Sequence, residues 1–322
     1  MPYNNNISRT EAAPLIPEEA ASQIISHAVE GSAVMSLARR LPDMSRGQVR
    51  LPVVSALPTA YWINPASNNP QTPDNGLKQT TEVNWENVYI YAEEMAVIVP
   101  IPDAVADDMG YDIWGEIQPL LGEAFGRAFD DSVLRGTNAP ANFPNDLVTG
   151  ATAAGHVVSL ANFKDVYDAL FELNGVYNLV EEDGYMATGH IAAPSMMSRL
   201  RSCRGADGAP VFSGSMVNGV PFFDLLGAQV RFPRNGSMAA SPQYLFSGDW
   251  SQLVWSMRQD ITYKILDQAI IQDNTGAIVY NLAQQDMRAL RAVMRIGWAL
   301  PNPINPMNAN VATRYPFSIL TA

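Results

Sequence analysis

Three histidines, His27, His156 and His190, are the side chains best able to ligate a metal or move a proton near neutral pH, and they lie far apart in the chain. No HExxH or other metal-ligand spacing joins them, so they read as helix-surface or strand residues. Serine nucleophiles also lack a setting: Gly31-Ser32 and Gly214-Ser215 occur, but no GxSxG elbow does. Neither GxxxxGK(S/T) nor GxGxxG is present, which removes the usual phosphate cradles. Glu181, Glu182 and Asp183 ahead of Gly184 offer carboxylate oxygens to a divalent cation. Their spacing is not that of a calcium loop, and they read as a solvated acidic turn. Cys203 stands between Arg201 and Arg204, neighbours that would lower a thiol pKa. It is the only cysteine, so no intramolecular disulfide or CxxC site exists, and it reads as a helix-surface thiol without a catalytic role. No catalytic, cofactor or metal site is assigned.

What remains are residues suited to contacts between molecules. Arg39, Arg40, Arg46 and Arg50 form the one notable basic cluster. They suit intersubunit ion pairs or an inward face near nucleic acid, or else cations satisfying a helix C-terminus. Trp62 and Trp85 flank a polar segment, as interface anchors, as a cross-strand pair, or as both.

The 322 residues are 47% hydrophobic, enough for two packed domains, and carry a formal charge of -12 with a pI near 4.6. Long-range attraction to nucleic acid phosphates is therefore not expected. No apolar run reaches the length of a membrane span, and no basic-then-apolar leader opens the chain. A soluble chain without an export signal, in a reducing intracellular setting, is the expectation.

The elements that position these residues begin with a polar arm, residues 1 to 16. A helix is expected from Pro17, with Glu18 and Glu19 in its first turn, to about Arg40, stopped by Pro42. Gln48 to Ile63 is β-branched and aromatic, and Glu82 to Pro102 reads as a strand pair or one long bent strand. Between them Asn64 to Thr81 carries three prolines and almost no apolar residues. Two strands with a polar tip make a projecting arm that buries little of its own surface, which makes sense if it lies on a neighbour.

The longest signal is Asp112 to Asn138. Apolar residues at Ile113, Ile117, Leu120, Leu121, Ala124, Phe125, Ala128, Phe129, Val133 and Leu134 recur with helical spacing, and Gly136 can take positive φ to end the helix. Such a helix spans roughly 35 to 40 Å, a strut, in which Pro119 should cause a kink or restart. Asn142 to about Ser247 reads as an α/β lobe. Its expected helices run from an N-cap at Ser159 to Leu173 and from Pro194 to Arg204. Its expected strands are Tyr185 to Ala192, Val220 to Leu226 and Gln229 to Phe232, with Asn218-Gly219 and Asn235-Gly236 as turn signals. Gln252 to Ile271 and Ile278 to Trp298 face each other as a long hairpin across Asp273-Asn274-Thr275-Gly276.

This order of parts resembles the tailed-bacteriophage major capsid proteins of the Hong Kong 97 fold. The resemblance is carried by Leu15 to Pro42, PTAYWI (Pro58 to Ile63), MAVIVPIPDAVADD (Met95 to Asp108), Asp112 to Gly136 and MRALRAVMRIGWALPNP (Met287 to Pro303), and spans nearly the whole chain. It implies an α+β fold: N-arm 1–48, E-loop 49–92, P domain with spine helix 93–141, α/β A domain 142–250, P-domain β hairpin 251–300, and a C-terminal segment 301–322 returning to the A domain. It also implies a non-enzymatic subunit that associates with itself into hexamers and pentamers of an icosahedral shell around phage double-stranded DNA. Further implied partners are a portal protein, a separate scaffolding protein and a decoration protein, without sequence-specific DNA binding or a membrane. The location would be the virion capsid, assembled in the host cytoplasm.

An encapsulin-like compartment shell and, from another class, a soluble homo-oligomeric enzyme are the alternatives. Because about sixteen residues precede the first expected helix, a long fused scaffold is not expected, and either a separate scaffolding protein or self-assembly is. Deleting Asn64 to Thr81 should leave a folded subunit that assembles poorly. Family members that crosslink their shells join an E-loop lysine to a neighbour's asparagine with the help of a buried carboxylate. Lys78 is the only lysine of the hairpin, but the carboxylate position falls at or near Val293 and the acceptor near Asp286. No such crosslink is expected.

Overall fold

The computed structural model describes residues 31–60, 80–108, 113–204, 212, 215–217, 220–238, 242–273 and 275–322. In chain order the elements are α1 (Ala33–Leu37), β1 (Arg39–Arg40), β2 (Gln48–Ala56), β3 (Asn84–Tyr91), β4 (Glu93–Pro102), α2 (Asp103–Asp108) and α3 (Ile113–Arg135). There follow α4 (Leu147–Ala154), β5 (Val157–Ser159), α5 (Val166–Phe171), α6 (Val176–Glu182), β6 (Gly189–Ala192), α7 (Pro194–Ser202), β7 (Ser215–Val217), β8 (Val220–Leu225) and β9 (Ala228–Arg231). The last are β10 (Gln243–Gly248), β11 (Val254–Leu266), β12 (Ile270–Gln272), β13 (Ile278–Asn281), β14 (Met287–Ala299) and β15 (Phe317–Thr321).

The buried face of α3 follows the sequence pattern. Leu121, Phe125, Phe129, Val133 and Leu134 are buried, and Gly136 ends the helix at φ 65°. Each fully buried side chain of this kind contributes about 1.5–3 kcal/mol of transfer free energy. Leu120 belongs to the periodic set yet is exposed. The helix runs through Pro119 unbroken, so the expected restart does not occur. The backbone bond that proline removes falls in a solvated turn, where Gln118, Pro119 and Leu120 are all exposed and water lowers the cost.

α3 lies against a four-stranded sheet of order β1-β11-β14-β4. β14 is its centre, antiparallel to β11 and to β4 over the register Met287↔Pro102 to Ile296↔Glu93. A seven-stranded sheet of order β5-β15-β10-β6-β9-β8-β7 forms the α/β part, with the last strand of the chain, β15, inserted between β5 and β10. One face packs on α5, α6 and α7 through Val166, Leu170, Tyr177, Met196 and Leu200. The other face shares the α3 core through Phe246, Phe317 and Ile319, with Trp250 edge-on to Phe317 at 5.0 Å. The strut and both sheets are thus closed around one continuous apolar interior.

Several local expectations are corrected. The first helix was expected to reach about Arg40, but α1 ends at Leu37 and Arg39–Arg40 pair in parallel with Val254 and Trp255 of β11. Sheet bonds from Arg39 N to Leu253 O (3.0 Å) and Leu41 N to Trp255 O (2.8 Å) replace helical ones. The rest of that expected helix lies outside the described residues. Ser159 caps only a 3-10 turn, Leu160–Asn162, while Asp165 caps α5 by accepting from the N–H groups of Tyr167 and Asp168. Tyr185 closes α6 through a bond to Val180 O, so the strand begins at Gly189. Of the two readings of Glu82 to Pro102, the structure has the two strands, broken at Ala92, whose N–H donates to Gly47 O at 2.8 Å. α4 and α6 carried no expectation. For α4 the signal was present: Asp146 caps it by accepting from Thr149 N, and Gly155 ends it at φ 82°.

Candidate assembly surfaces

β2 and β3 form an antiparallel ribbon, with Val49 opposite Ile90 and Leu51 opposite Val88. These inward residues meet Met44, Val254 and Ala299, so the ribbon base is anchored on the four-stranded sheet. Gly297 makes the crossing possible: a Cβ there would run into the Tyr91 carbonyl oxygen and stand 2.8 Å from Ile90 Cγ2. Strand alternation then sends Trp85, Tyr89 and Tyr91 to the opposite face. Trp85 is 65% exposed and sits opposite Val54, and exposed Arg50 sits opposite Tyr89. Trp62 and Lys78 lie outside the described residues.

The four arginines are all exposed but do not gather at a helix terminus. Arg39 and Arg40 belong to β1, Arg46 to the bend before the ribbon, and Arg50 to β2. Arg40 pairs with Asp43 at 2.9 Å and lies 5.4 Å above the Trp255 ring. An exposed pair of this kind is worth less than about 1 kcal/mol. The helix-cation account of Arg39 and Arg40 falls, because the residues are extended.

A second apolar surface escaped sequence reasoning. Beyond the four-stranded sheet, β12 and β13 make a two-stranded ribbon in which Ile270, Ile278, Val279 and Tyr280 are exposed, with Ile265 nearby on β11. The signal was there in Ile270-Ile271 and Ile278-Val279-Tyr280: consecutive apolar residues make both faces of a strand apolar, and a lone hairpin has no layer to cover either.

Two buried polar joints hold the frame. Asp130 of α3 accepts from Ser32 Oγ (2.5 Å), Ala33 N (3.0 Å), Val34 N (3.1 Å) and Asn235 Nδ2 (3.1 Å), and burial raises its carboxyl pKa despite these bonds. Asp183 proves buried rather than solvated, while Glu181 and Glu182 are exposed. It lies 3.3 Å from His156 Nε2 and accepts from Tyr315 N and Asn308 Nδ2, both at 2.7 Å. It ties α6 to the segment entering β15.

The imidazole, thiol and cleft carboxylate groups are equally committed. His190 lies in strand β6, one of the two placements expected, and is buried; His156 is buried in the turn after α4, and His27 lies outside the described residues. His190 Nε2 is 2.8 Å from Tyr177 Oη, which donates to Leu225 O, and burial lowers the histidine pKa to about 4. Cys203, expected on a helix surface, is buried at the end of α7, where burial, and then Asp165, raise its pKa above the ordinary thiol value. A cleft of about 660 Å³ beside α3 is lined by Glu93, Glu94, Glu123, Arg127 and Asp131. Glu94 is held by Arg295 at 2.8 Å, Asp131 by Arg127 and Arg135, and Glu93 accepts from Asn142. No helix among the described residues is long and apolar enough to cross a membrane.

A stiff interior whose acidic and imidazole groups serve as joints, carrying apolar side chains outward on ribbons, defines a building block for a larger structure. The chain belongs to the phage capsid family, whose model matches residues 12–307. It is 24% identical over 285 residues to the major capsid protein of Staphylococcus phage 80alpha, covering 86% of this chain and 79% of that one. A solved chain from Microbacterium phage Oxtober96 superposes with a TM-score of 0.81 at 32% identity, covering 98% of this chain and 99% of that one. One from Mycobacterium phage Cain gives 0.80 at 31%, covering 98% of each. The chain is thus a structural component of a phage virion with the α+β capsid fold, built to join copies of itself into a shell. Family membership disposes of the enzyme reading.

Proposed function

We propose that this chain is a major capsid protein of the Hong Kong 97-like type, forming hexamers and pentamers of an icosahedral shell around phage double-stranded DNA. In this reading residues 1–48 are the N-arm and 49–92 the E-loop. The P domain is 93–141 with 251–300, the A domain 142–250, and 301–322 returns to the A domain. The observation that carries it is the outward face of the ribbon, where Trp85 and Tyr89 are exposed on strands whose other face is anchored by Ile90. An isolated subunit gains nothing from that arrangement, whereas a neighbour covering it would bury one of the largest apolar side chains. Arg39, Arg40, Arg46 and Arg50, with Trp62 and Lys78, are the remaining candidate contacts with neighbours. The net charge of -12 supports tolerance of packaged DNA rather than a grip on it. A portal protein, a separate scaffolding protein and a decoration protein are the proposed partners, with assembly in the host cytoplasm.

The test is Trp85→Ala. The subunit should unfold within about 0.5 kcal/mol of the wild type, as exposed substitutions do, while shells seen by electron microscopy become scarce. Wild-type shell yield from the variant would remove the ribbon from the contact set. The encapsulin-like alternative predicts a cargo enzyme inside the purified shell and no portal or terminase gene beside this one.

A further inference from the structure

Leu226 occupies a backbone position that disfavours it. β8 and β9 pair with Leu225 opposite Ala228, leaving Leu226 and Gly227 as a two-residue hairpin loop. Their φ angles are 51° and 83°, so both are left-handed, as a type I′ turn requires. Asn, Asp or Gly normally fill the first place, because a larger side chain crowds the backbone there. Among the described residues the other non-glycine positive φ angles belong to Asn138, Asn174, Asp286 and Asn302. Leu226 is the exception.

It is also 73% exposed, so its side chain does not earn its place by filling the core. The turn is secured by its neighbour instead: Leu225 is buried, and its carbonyl accepts from Tyr177 Oη at 3.0 Å. Tyr177 belongs to α6, and the loop leading into α6 carries a second exposed leucine, Leu173, at 75%. Backbone strain and an exposed apolar group together, on a turn bolted to a rigid sheet, oppose the isolated subunit on two counts.

We propose that Leu226 is an anchor received by the apolar surface of a second copy of this chain. The occupant is a second copy because the chain belongs to a family whose members form shells, and the inference rests on that shell-subunit reading. Burial against the neighbour supplies what strain and exposure withhold, and the turn's bond to Tyr177 presents the side chain without a loop to order.

The experiment is Leu226→Asn beside Leu226→Met, expressed together with the neighbouring structural genes. Asparagine suits the left-handed turn, so that variant should unfold at the wild-type denaturant midpoint or above it, yet need about tenfold more protein to form shells. Methionine keeps the apolar contact and should assemble as the wild type does. If Leu226→Asn assembles at wild-type concentration while the wild type forms normal shells, this inference alone is overturned. A less stable Leu226→Asn subunit would also overturn it, by showing that Leu226 serves the fold. A wild type that forms no shells overturns the shell reading and the inference with it.

Discussion

The Asp130 carboxylate receives the Ser32 hydroxyl at 2.5 Å across 98 positions of sequence, and so caps α1 from within α3. Ser32 Oγ in turn accepts from Met35 N at 3.0 Å, and Asn235 binds the other carboxylate oxygen. One side chain joins the start of α1, the strut and the loop between β9 and β10.

Asp130→Ala should therefore destabilise the subunit by about 3 kcal/mol, since it leaves buried donors on Ser32, Ala33, Val34 and Asn235 unmatched. The pH dependence has a definite sign. The folded pKa lies above 3.8, so the native state binds the extra proton, and this group's contribution to stability falls as pH rises from 3.8 through the raised value. Denaturant unfolding at several pH values checks it: the difference between wild type and Asp130→Asn should shift in favour of the wild type as pH is lowered through that window.

His190 predicts the opposite slope. Its pKa falls from 6.5 to about 4 on folding, because burial disfavours the imidazolium. The stability it contributes as a neutral ring is complete above 6.5 and is lost as pH falls from there to about 4, to an extent of order 3 kcal/mol. His190→Gln should flatten that acid limb in a thermal-unfolding series, and an unchanged limb would assign the acid sensitivity elsewhere.

Gly297→Ala should cost about 2 kcal/mol or more, because the added methyl meets the Tyr91 backbone rather than a yielding side chain. The ribbon must lift from the sheet to admit it. Proteolysis between β2 and β3 should accelerate along with the fall in denaturant midpoint; normal protease resistance would show that the sheet yields instead.

Boiled mature particles should run on denaturing electrophoresis as one band at the subunit mass. Val293 lies mid-sheet between Ala96 and Thr262 and offers no proton acceptor, and Asp286 carries a carboxylate, with no side-chain amide nitrogen to leave as ammonia. A ladder of covalent oligomers would establish a crosslinking route through other residues.

The sequence by itself determined the elements whose causes are local. Period 3.6 with a terminal glycine marked α3 and its end at Gly136, a β-branched and aromatic run marked β2, and two long segments facing each other across Asp273 to Gly276 marked β11 and β14. Their order carries the resemblance to the phage capsid proteins, and that resemblance implied the α+β fold. Tertiary structure decided everything that depended on a distant partner. Asp183 read as a solvated turn because its own neighbours are Glu182 and Gly184, yet Tyr315, 132 positions on, holds it inside. Arg39 and Arg40 read as the end of a helix until the edge of β11 offered them sheet bonds, and Cys203 read as a surface thiol until packing enclosed it. Hydrophobic spacing records which face a segment turns inward; it holds no record of what meets that face, and burial, pKa and ion pairing are properties of the meeting.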